Sequence, residues 1–478
     1  MDEHGGYRSP LSGRYASQQM QEVWSDRRKF QTWRKLWLVL AKGQQELGLD
    51  ISDAQISELE DTLDTIDFEA AAKYEKELRH DVMAHVHALG DIAPTARAII
   101  HLGATSQFVN CNTELLQLRQ ATQMIARKVA NAIIALGDFA QTYRDVPTLG
   151  FTHYQPAQPT TVGKRATLWA QDLALALEDL EHRLDVMRFR SIRGATGTQA
   201  SFLDLFDGDH AKVDALDRIV TEQMDWPLDK RLCVTGQTYP RLVDAQILSS
   251  LAAVAAAVHK FATDVRLLAN RGELEEPFEK KQIGSSAMAY KRNPMRCERM
   301  CALARFVMNM PPNALQTASV QWMERTLDDS ANRRLALPES FLALDGTLDV
   351  LNNVVDGLIV HEATVAKNLQ QEMPFLATER LMMEAVAAGA DRQDAHEIVR
   401  THAVAVARRI KEEGAENDLL AKLAQEPMFA SLDLTTVADP SGFIGRAPSQ
   451  VDQFNESVVA EIKQKYAAHE TESIELRV

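Results

Sequence analysis

The chain is predicted to be all-α, with three helical domains and a central domain of very long helices forming an inter-subunit bundle. Three observations predict it. Residues 110–136, 164–193 and 241–271 each run without glycine or proline, the residues that most readily interrupt a helix. In the last run, Ile247, Leu251, Val254, Val258, Phe261, Val265 and Leu268 alternate spacings of four and three, which is a heptad seam. Leu115, Leu118, Ile125, Val129, Leu136 and Phe139 lay a similar stripe along the first run. Helices of roughly thirty residues are about 45 Å long. Neighbouring domains are expected to cover only their ends, so the seams should close between chains rather than within one.

Bulk properties narrow the function. At 478 residues the chain is long enough for two or three domains and a large core. The boundaries are drawn at 1–106, 107–360 and 361–478. Hydrophobic content of 45% with 25% charged residues reads as a soluble globular protein. A net charge of −15 argues against a general nucleic-acid or membrane surface. A site for anions must therefore gather its arginines locally. Cys111, Cys233, Cys297 and Cys301 lack metal-ligand spacing apart from one C-x3-C pair, which fits a helical face better than a zinc site. A reducing, cytoplasmic compartment suits all four. The start, MDEHGGYRSP, has neither a basic flank nor an apolar core, so no signal peptide is expected. No apolar run is read as approaching membrane-spanning length.

In chain order, residues 9–15 (SPLSGRY) form a turn-rich lead-in. Residues 26–47 read as a helix, with Phe30, Trp33, Leu36, Trp37 and Leu40 at helical spacing. A second helical stretch covers 53–64. Residues 78–89, LRHDVMAHVHAL, read as another. Its histidines invite a metal, but His80 and His87 would stand two turns apart and His85 and His87 point different ways. A helix with one functional end is the preferred reading. Thr105 and Ser106, closing HLGATS, suit a helix N-terminus whose free N–H groups hold a carboxylate.

Residues 148–161, TLGFTHYQPAQPTT, hold three breakers (Gly150, Pro156, Pro159) and read as a loop. The threonines suit the start of the next helix. His153 is the candidate titrating group there. Residues 193–202, RGATGTQASF, are Gly-rich without P-loop spacing or a following lysine. Residues 321–337 carry Arg325, Arg333 and Arg334 with Asp328 and Asp329 between them; alone, this is surface pairing worth tenths of a kcal/mol. Residues 391–413 and 449–465 are amphipathic, and nothing beyond residue 361 carries chemistry by itself.

The stretch that does is 282–295, QIGSSAMAYKRNPM. Gly284 and the Asn293–Pro294 step argue for a loop of unusual backbone geometry. Ser285 and Ser286 beside Lys291 and Arg292 mark a place where negative charge gathers. The pattern S-S-x-M-x-x-K-x-N-P closely resembles the signature loop of the fumarase/aspartase superfamily of lyases. Those enzymes cleave C–N or C–O bonds and release fumarate. One position departs: the family has proline where this chain has Ala289, which frees the backbone there. Within the superfamily, SSAM-x-YKRNPMR looks like the branch acting on succinylated purine nucleotides. The nearest rival branch acts on argininosuccinate, which has no phosphate to grip.

The resemblance covers nearly the whole chain and implies roles by position. RHDVMAH resembles the first active-site helix, with Arg79, His80 and Asp81 as substrate contacts. Thr105 and Ser106 match a substrate-binding pair, and T-H-x-Q-P-A-Q makes His153 the general acid. Gln237 of TGQTY matches a substrate-binding glutamine. Arg299, Arg325, Ser330 and Arg334 become contacts for the phosphate and nucleotide, for which planar, always-charged guanidinium is suited. Arg14 and Tyr15 of the lead-in join the substrate-binding set. A homotetramer with active sites shared between three subunits, and residues 361–478 as a cap, are likewise implied. No metal and no cofactor are expected.

Such an elimination needs a strong base, a stabiliser for a doubly negative carboxylate and an acid for the leaving nitrogen. A serine hydroxyl becomes a base when positive charge and oriented N–H groups stabilise its alkoxide. Ser285, with Lys291 nearby, is assigned that role. No G-x-S-x-G elbow surrounds it to suggest an acyl-transfer nucleophile. Lys291 and Asn293 hold the carboxylate, and His80 positions substrate beside His153.

Overall fold

A computed structural model describes residues 5–467. The all-α expectation holds, with two short antiparallel ribbons as the strand content of the described residues. Helix α1 spans Asp26–Glu46, started by the Ser25 hydroxyl accepting the Arg28 N–H. Of the stretch expected as a helix over 78–89, residues 81–89 are one, and the start is broken off. Helix α2, Phe68–Leu78, stops at Arg79, whose backbone is left-handed (φ 55°). The His80 side chain then caps α3, Asp81–Ile92, by accepting the Met83 N–H. Arg79, His80 and Asp81 therefore occupy a helix junction rather than a helical face.

Helix α4, Ser106–Thr142, runs into a hairpin of β1, Pro147–Thr152, and β2, Gln155–Thr161. Helix α5, Val162–Val186, follows, capped by the Thr161 hydroxyl on the Lys164 N–H. Helix α6 is Leu242–Asn270, β3 is Leu274–Glu275, α7 is Met295–Met308, and α8 is Asp329–Asp356 with Pro338 inside it. Strand β4, Ile359–Val360, pairs back on β3. Helices α4, α5, α6 and α8 pack on one another as a bundle, with α7 against α6 and α8.

The heptad seam on α6 is buried from Ile247 to Leu268, and so are Leu115, Leu118, Ile125, Val129 and Leu136 on α4. The expectation that these seams close between chains is therefore corrected. The reason is that partners lie within the chain: α6 packs on α5 and α7, and α4 packs on α5 and α8. Helix α6 is long and apolar enough to cross a membrane by length and composition, against the expectation of no such run; its apolar seam lies in the protein core. What α6 leaves exposed is a second stripe of heptad spacing: Leu242, Gln246, Ser249, Ala253, Ala256, Lys260 and Leu267. Helix α5 likewise exposes Leu168 and Leu175.

A second apolar cluster gathers around α9 (Glu362–Leu376), α10 (Thr378–Ala387) and α11 (Arg392–Glu413), with Leu369, Leu381, Val399, Leu419 and Phe429 inside it. The chain then returns. In α12, Ala447–Phe454, Val451 and Phe454 belong to the main core. Arg144 after α4 pairs with Asp452 at 2.9 Å.

Candidate active site

The residues singled out from the sequence fall into separate corners of the chain. The first lies where the α2–α3 junction meets the starts of α4 and α8. His80 accepts the Met83 N–H at Nδ1, which leaves Nε2 facing the Ser106 hydroxyl at 3.2 Å. Asp81 meets Arg334 of α8 at 3.3 Å. Thr105 is the N-cap of α4 but makes no side-chain cap bond, and its buried hydroxyl has no partner. The first-turn N–H groups of a 37-residue helix thus open beside Arg334, an arrangement that attracts a carboxylate or phosphate.

Arg325 and Gln237 extend this corner. The Gln237 N–H donates to the Glu324 carbonyl at 3.0 Å. One nitrogen of Arg325, Nη1, donates to both oxygens of Asp329 at 2.9 and 2.8 Å. The surface pairing read from the sequence is corrected here. Asp329 is fully buried and also holds Arg241 at 2.6 Å. Arg333 turns inward to Asp244 at 2.7 Å and Glu114 at 2.9 Å, and Tyr239 donates to Asp244 at 2.6 Å. Burial pushes the Tyr239 phenol well up. Sequence reasoning missed Asp329, Arg241, Arg333, Asp244 and Glu114 as a supporting network. The one available signal was the i,i+4 pair Arg325–Asp329.

A second corner holds Tyr15, with the Arg299 guanidinium of α7 lying 5.9 Å from its ring centre. Its backbone is fixed from below: Asp345 of α8 accepts the Ser17 N–H at 2.7 Å and pairs with Lys128 at 2.5 Å. Arg14 is exposed beside it. Asp345 stands about 16 Å further along α8 than Arg334, so one chain keeps this corner apart from the first.

The signature loop is a third unit. Ser285 Oγ accepts the backbone N–H groups of Met288 at 3.1 Å and Ala287 at 3.3 Å. Ser286 is exposed. Asn293 closes the loop by donating to the Gly284 carbonyl at 2.7 Å. A β-carbon on Gly284 would collide with the Lys291 carbonyl, so only glycine allows the turn to shut. The Glu276 carboxylate holds the loop's far end, accepting the Arg296 and Cys297 N–H groups at 2.9 Å each. Lys291 is exposed at the rim.

His153 is the fourth. The expected loop is a β-hairpin with a bulge between Leu149 and Phe151. Its two turn residues, His153 (φ 53°) and Tyr154 (φ 57°), are both left-handed and exposed. That is the geometry of a type I′ turn, which ordinarily takes Asn-Gly. Among the described residues, the His153 ring makes no hydrogen bond, and none joins Ser285 to the His80 corner.

The three histidines that invited a metal face three ways. His85 is stacked on Phe30 with ring centres 3.7 Å apart, and His87 stacks on Tyr74 at 5.2 Å. No group of three His, Cys, Asp or Glu among the described residues could hold a metal ion. Burial depresses the His85 imidazole to about 4. His101, accepting the Trp37 indole N–H at 2.9 Å, is lowered to about 4 by burial and then by His80.

Comparison with known proteins places the chain in a family. Residues 13–309 match the family model described as lyase, and residues 374–454 match that described as adenylosuccinate lyase C-terminus. The chain is 50% identical over 459 residues to the adenylosuccinate lyase of Schizosaccharomyces pombe, covering 95% of each. The Saccharomyces cerevisiae adenylosuccinate lyase gives the same identity and coverage. Among solved structures, the fumarate lyase from Mesorhizobium sp. BNC1 superposes with a TM-score of 0.78 at 25% identity, over 93% of this chain and 99% of that one. With both family models matched in order and half of its residues shared with full-length relatives, the chain belongs to the adenylosuccinate lyase family.

Proposed function

We propose that this chain splits adenylosuccinate into AMP and fumarate, and the succinylated aminoimidazole-carboxamide ribotide of purine biosynthesis into its carboxamide and fumarate. Family membership supports the substrates. The observation that carries the chemistry is the Ser285 hydroxyl, which accepts two backbone N–H groups in a loop bearing Lys291. Two oriented donors favour the alkoxide over the alcohol, and an ammonium carried on the same loop adds to them once it turns inward. The alkoxide takes the proton from the carbon beside the succinyl carboxylate. Charge then grows on that carboxylate, where Lys291 and Asn293 stabilise it, at ~3–4 kcal/mol per well-placed donor. The C–N bond breaks as the C=C bond forms. His153 gives its proton to the departing nitrogen, a contribution of roughly 10²–10⁴ in rate. His80 orients the substrate from the first corner. Electrons balance within the substrate, so the reaction requires no redox cofactor.

The anionic substrate carries a phosphate and two carboxylates. Arg299, Arg325 and Arg334, with the open start of α4, supply the matching positive field in a chain of net charge −15, and Ser330 adds a hydroxyl donor. The active assembly is a homotetramer whose sites draw on three subunits. The separate corners support this, as do the exposed stripes on α5 and α6. Four free thiols, one of them exposed, favour a reducing, cytoplasmic setting. The test is to incubate the purified chain with adenylosuccinate and, separately, with argininosuccinate. Fumarate is expected from the first alone; fumarate from argininosuccinate alone overturns the reading.

A further inference from the structure

The Gly-rich run RGATGTQ had no role in the sequence reading, and its geometry supplies one. Residues 189 and 231 bridge side by side: the Phe189 N–H donates to the Lys230 carbonyl and the Leu232 N–H to the Phe189 carbonyl, each at 2.9 Å. Beyond that bridge the two strands of chain stay together. Arg193 donates to the Leu232 carbonyl and meets Asp217 at 2.6 Å. The turn after it is closed by the Gln199 N–H on the Arg193 carbonyl at 2.8 Å. Gly197 then lies directly on the Thr235 peptide. A β-carbon there would sit inside the Thr235 carbonyl oxygen, and close to Gly236 at 3.0 Å.

The next layer repeats the contact. A β-carbon on Gly236 would lie 2.5 Å from the Glu324 carbonyl oxygen, the same oxygen that accepts the Gln237 N–H at 3.0 Å. Three loops are thus stacked backbone on backbone, at 197, at 235–237 and at 324–325. The middle loop carries Gln237 and the outer one carries Arg325. No side chain separates the layers, so a shift in the innermost loop has no soft group to absorb it.

We propose that Gly197 and Gly236 are positioning residues that set Gln237 and Arg325 against the nucleotide half of the substrate. This rests on the lyase reading above. The nearest atoms to a β-carbon on Gly197 or Gly236 belong to the stacked peptides and not to the signature loop or the His153 hairpin, so the stack is assigned to binding rather than to the chemical step.

Gly194 provides the control. It has nearly the same left-handed backbone as Gly197 (φ 81° against 83°), but a β-carbon there meets nothing nearer than 3.8 Å. Gly194→Ala and Gly197→Ala therefore both place a side chain at a left-handed φ, and the second alone pushes on the stack. Steady-state kinetics with adenylosuccinate are expected to show Gly197→Ala with KM raised about tenfold or more and kcat within about threefold. Gly194→Ala should stay within about twofold of the parent in both. AMP affinity by calorimetry, read without turnover, should fall in parallel for Gly197→Ala. Should Gly197→Ala not fold, Gly236→Ala makes the same push one layer further out, and the same split is expected of it.

Equal KM and AMP affinity in the Gly194 and Gly197 variants, or a loss confined to kcat, overturns the proposal while parental fumarate release leaves the lyase reading standing. A parent that releases no fumarate yet binds AMP, with that binding lost in Gly197→Ala, supports the stack and overturns the lyase reading alone. A parent that does neither overturns both.

Discussion

Two adjacent hydroxyls in the signature loop meet different surroundings. Ser285 Oγ is the acceptor of two backbone N–H groups, whereas Ser286 is exposed to water. Ser285→Ala is expected to lower kcat by roughly 10²–10⁴ with substrate binding retained, and Ser286→Ala to cost far less. Normal turnover in Ser285→Ala removes that residue from the role of base. His85 allows a second test at this scale. Its ring is buried against Phe30 and held neutral, with the imidazole lowered to about 4. The unfolded chain protonates this histidine near pH 6.5. The stability it contributes is therefore complete above pH 6.5 and is lost as pH falls toward about 4. His85→Phe should flatten that acid limb in denaturant melts taken between pH 7 and 4. An acid limb identical to that of the parent would refute the assignment. His80 shows what residue types alone conceal. Its place in RHD was readable, but its use as a helix cap depends on the left-handed turn at Arg79, which no glycine or proline marks.

Among the elements, the long helices were legible because uninterrupted apolar periodicity has few other meanings. The hairpin bearing His153 was not. Pro156 and Pro159 read as breakers, yet both sit in β2, paired with Phe151 and Leu149. A two-stranded ribbon has two free edges, and proline's missing N–H is harmless there. The strained turn at its tip makes a prediction. Tyr154→Gly relieves one left-handed side chain, worth about 1 kcal/mol, at the loss of its ring contact with Phe151. Stability should change by no more than ~1 kcal/mol, whereas kcat should fall because the turn no longer holds His153 in one orientation. An unchanged kcat would show that the turn's rigidity has no part in proton delivery. The arginine run at the start of α8 was legible in its residues and misread in its direction. Only packing reveals that Arg333 points into the core while Arg334 points out.

On the scale of the whole molecule, the heptad seam was the right signal for a bundle and the wrong one for assembly. It is used up inside the chain, and what α6 leaves exposed is a stripe with small residues at its middle, Ser249, Ala253 and Ala256. Assembly can be tested through the site. If one pocket takes His153 and Ser285 from different subunits, then mixing, unfolding and refolding His153→Ala with Ser285→Ala chains should restore up to about a quarter of parental activity. Two inactive variants that stay inactive when mixed would sink the shared pocket. The hairpin's anchorage carries one more consequence. Leu149 and Phe151 are packed into the small apolar cluster around α9 to α11, not into the bundle. The proposed proton donor therefore rides on the lesser lobe as a rudder rides on its stern: whatever moves that lobe also steers His153.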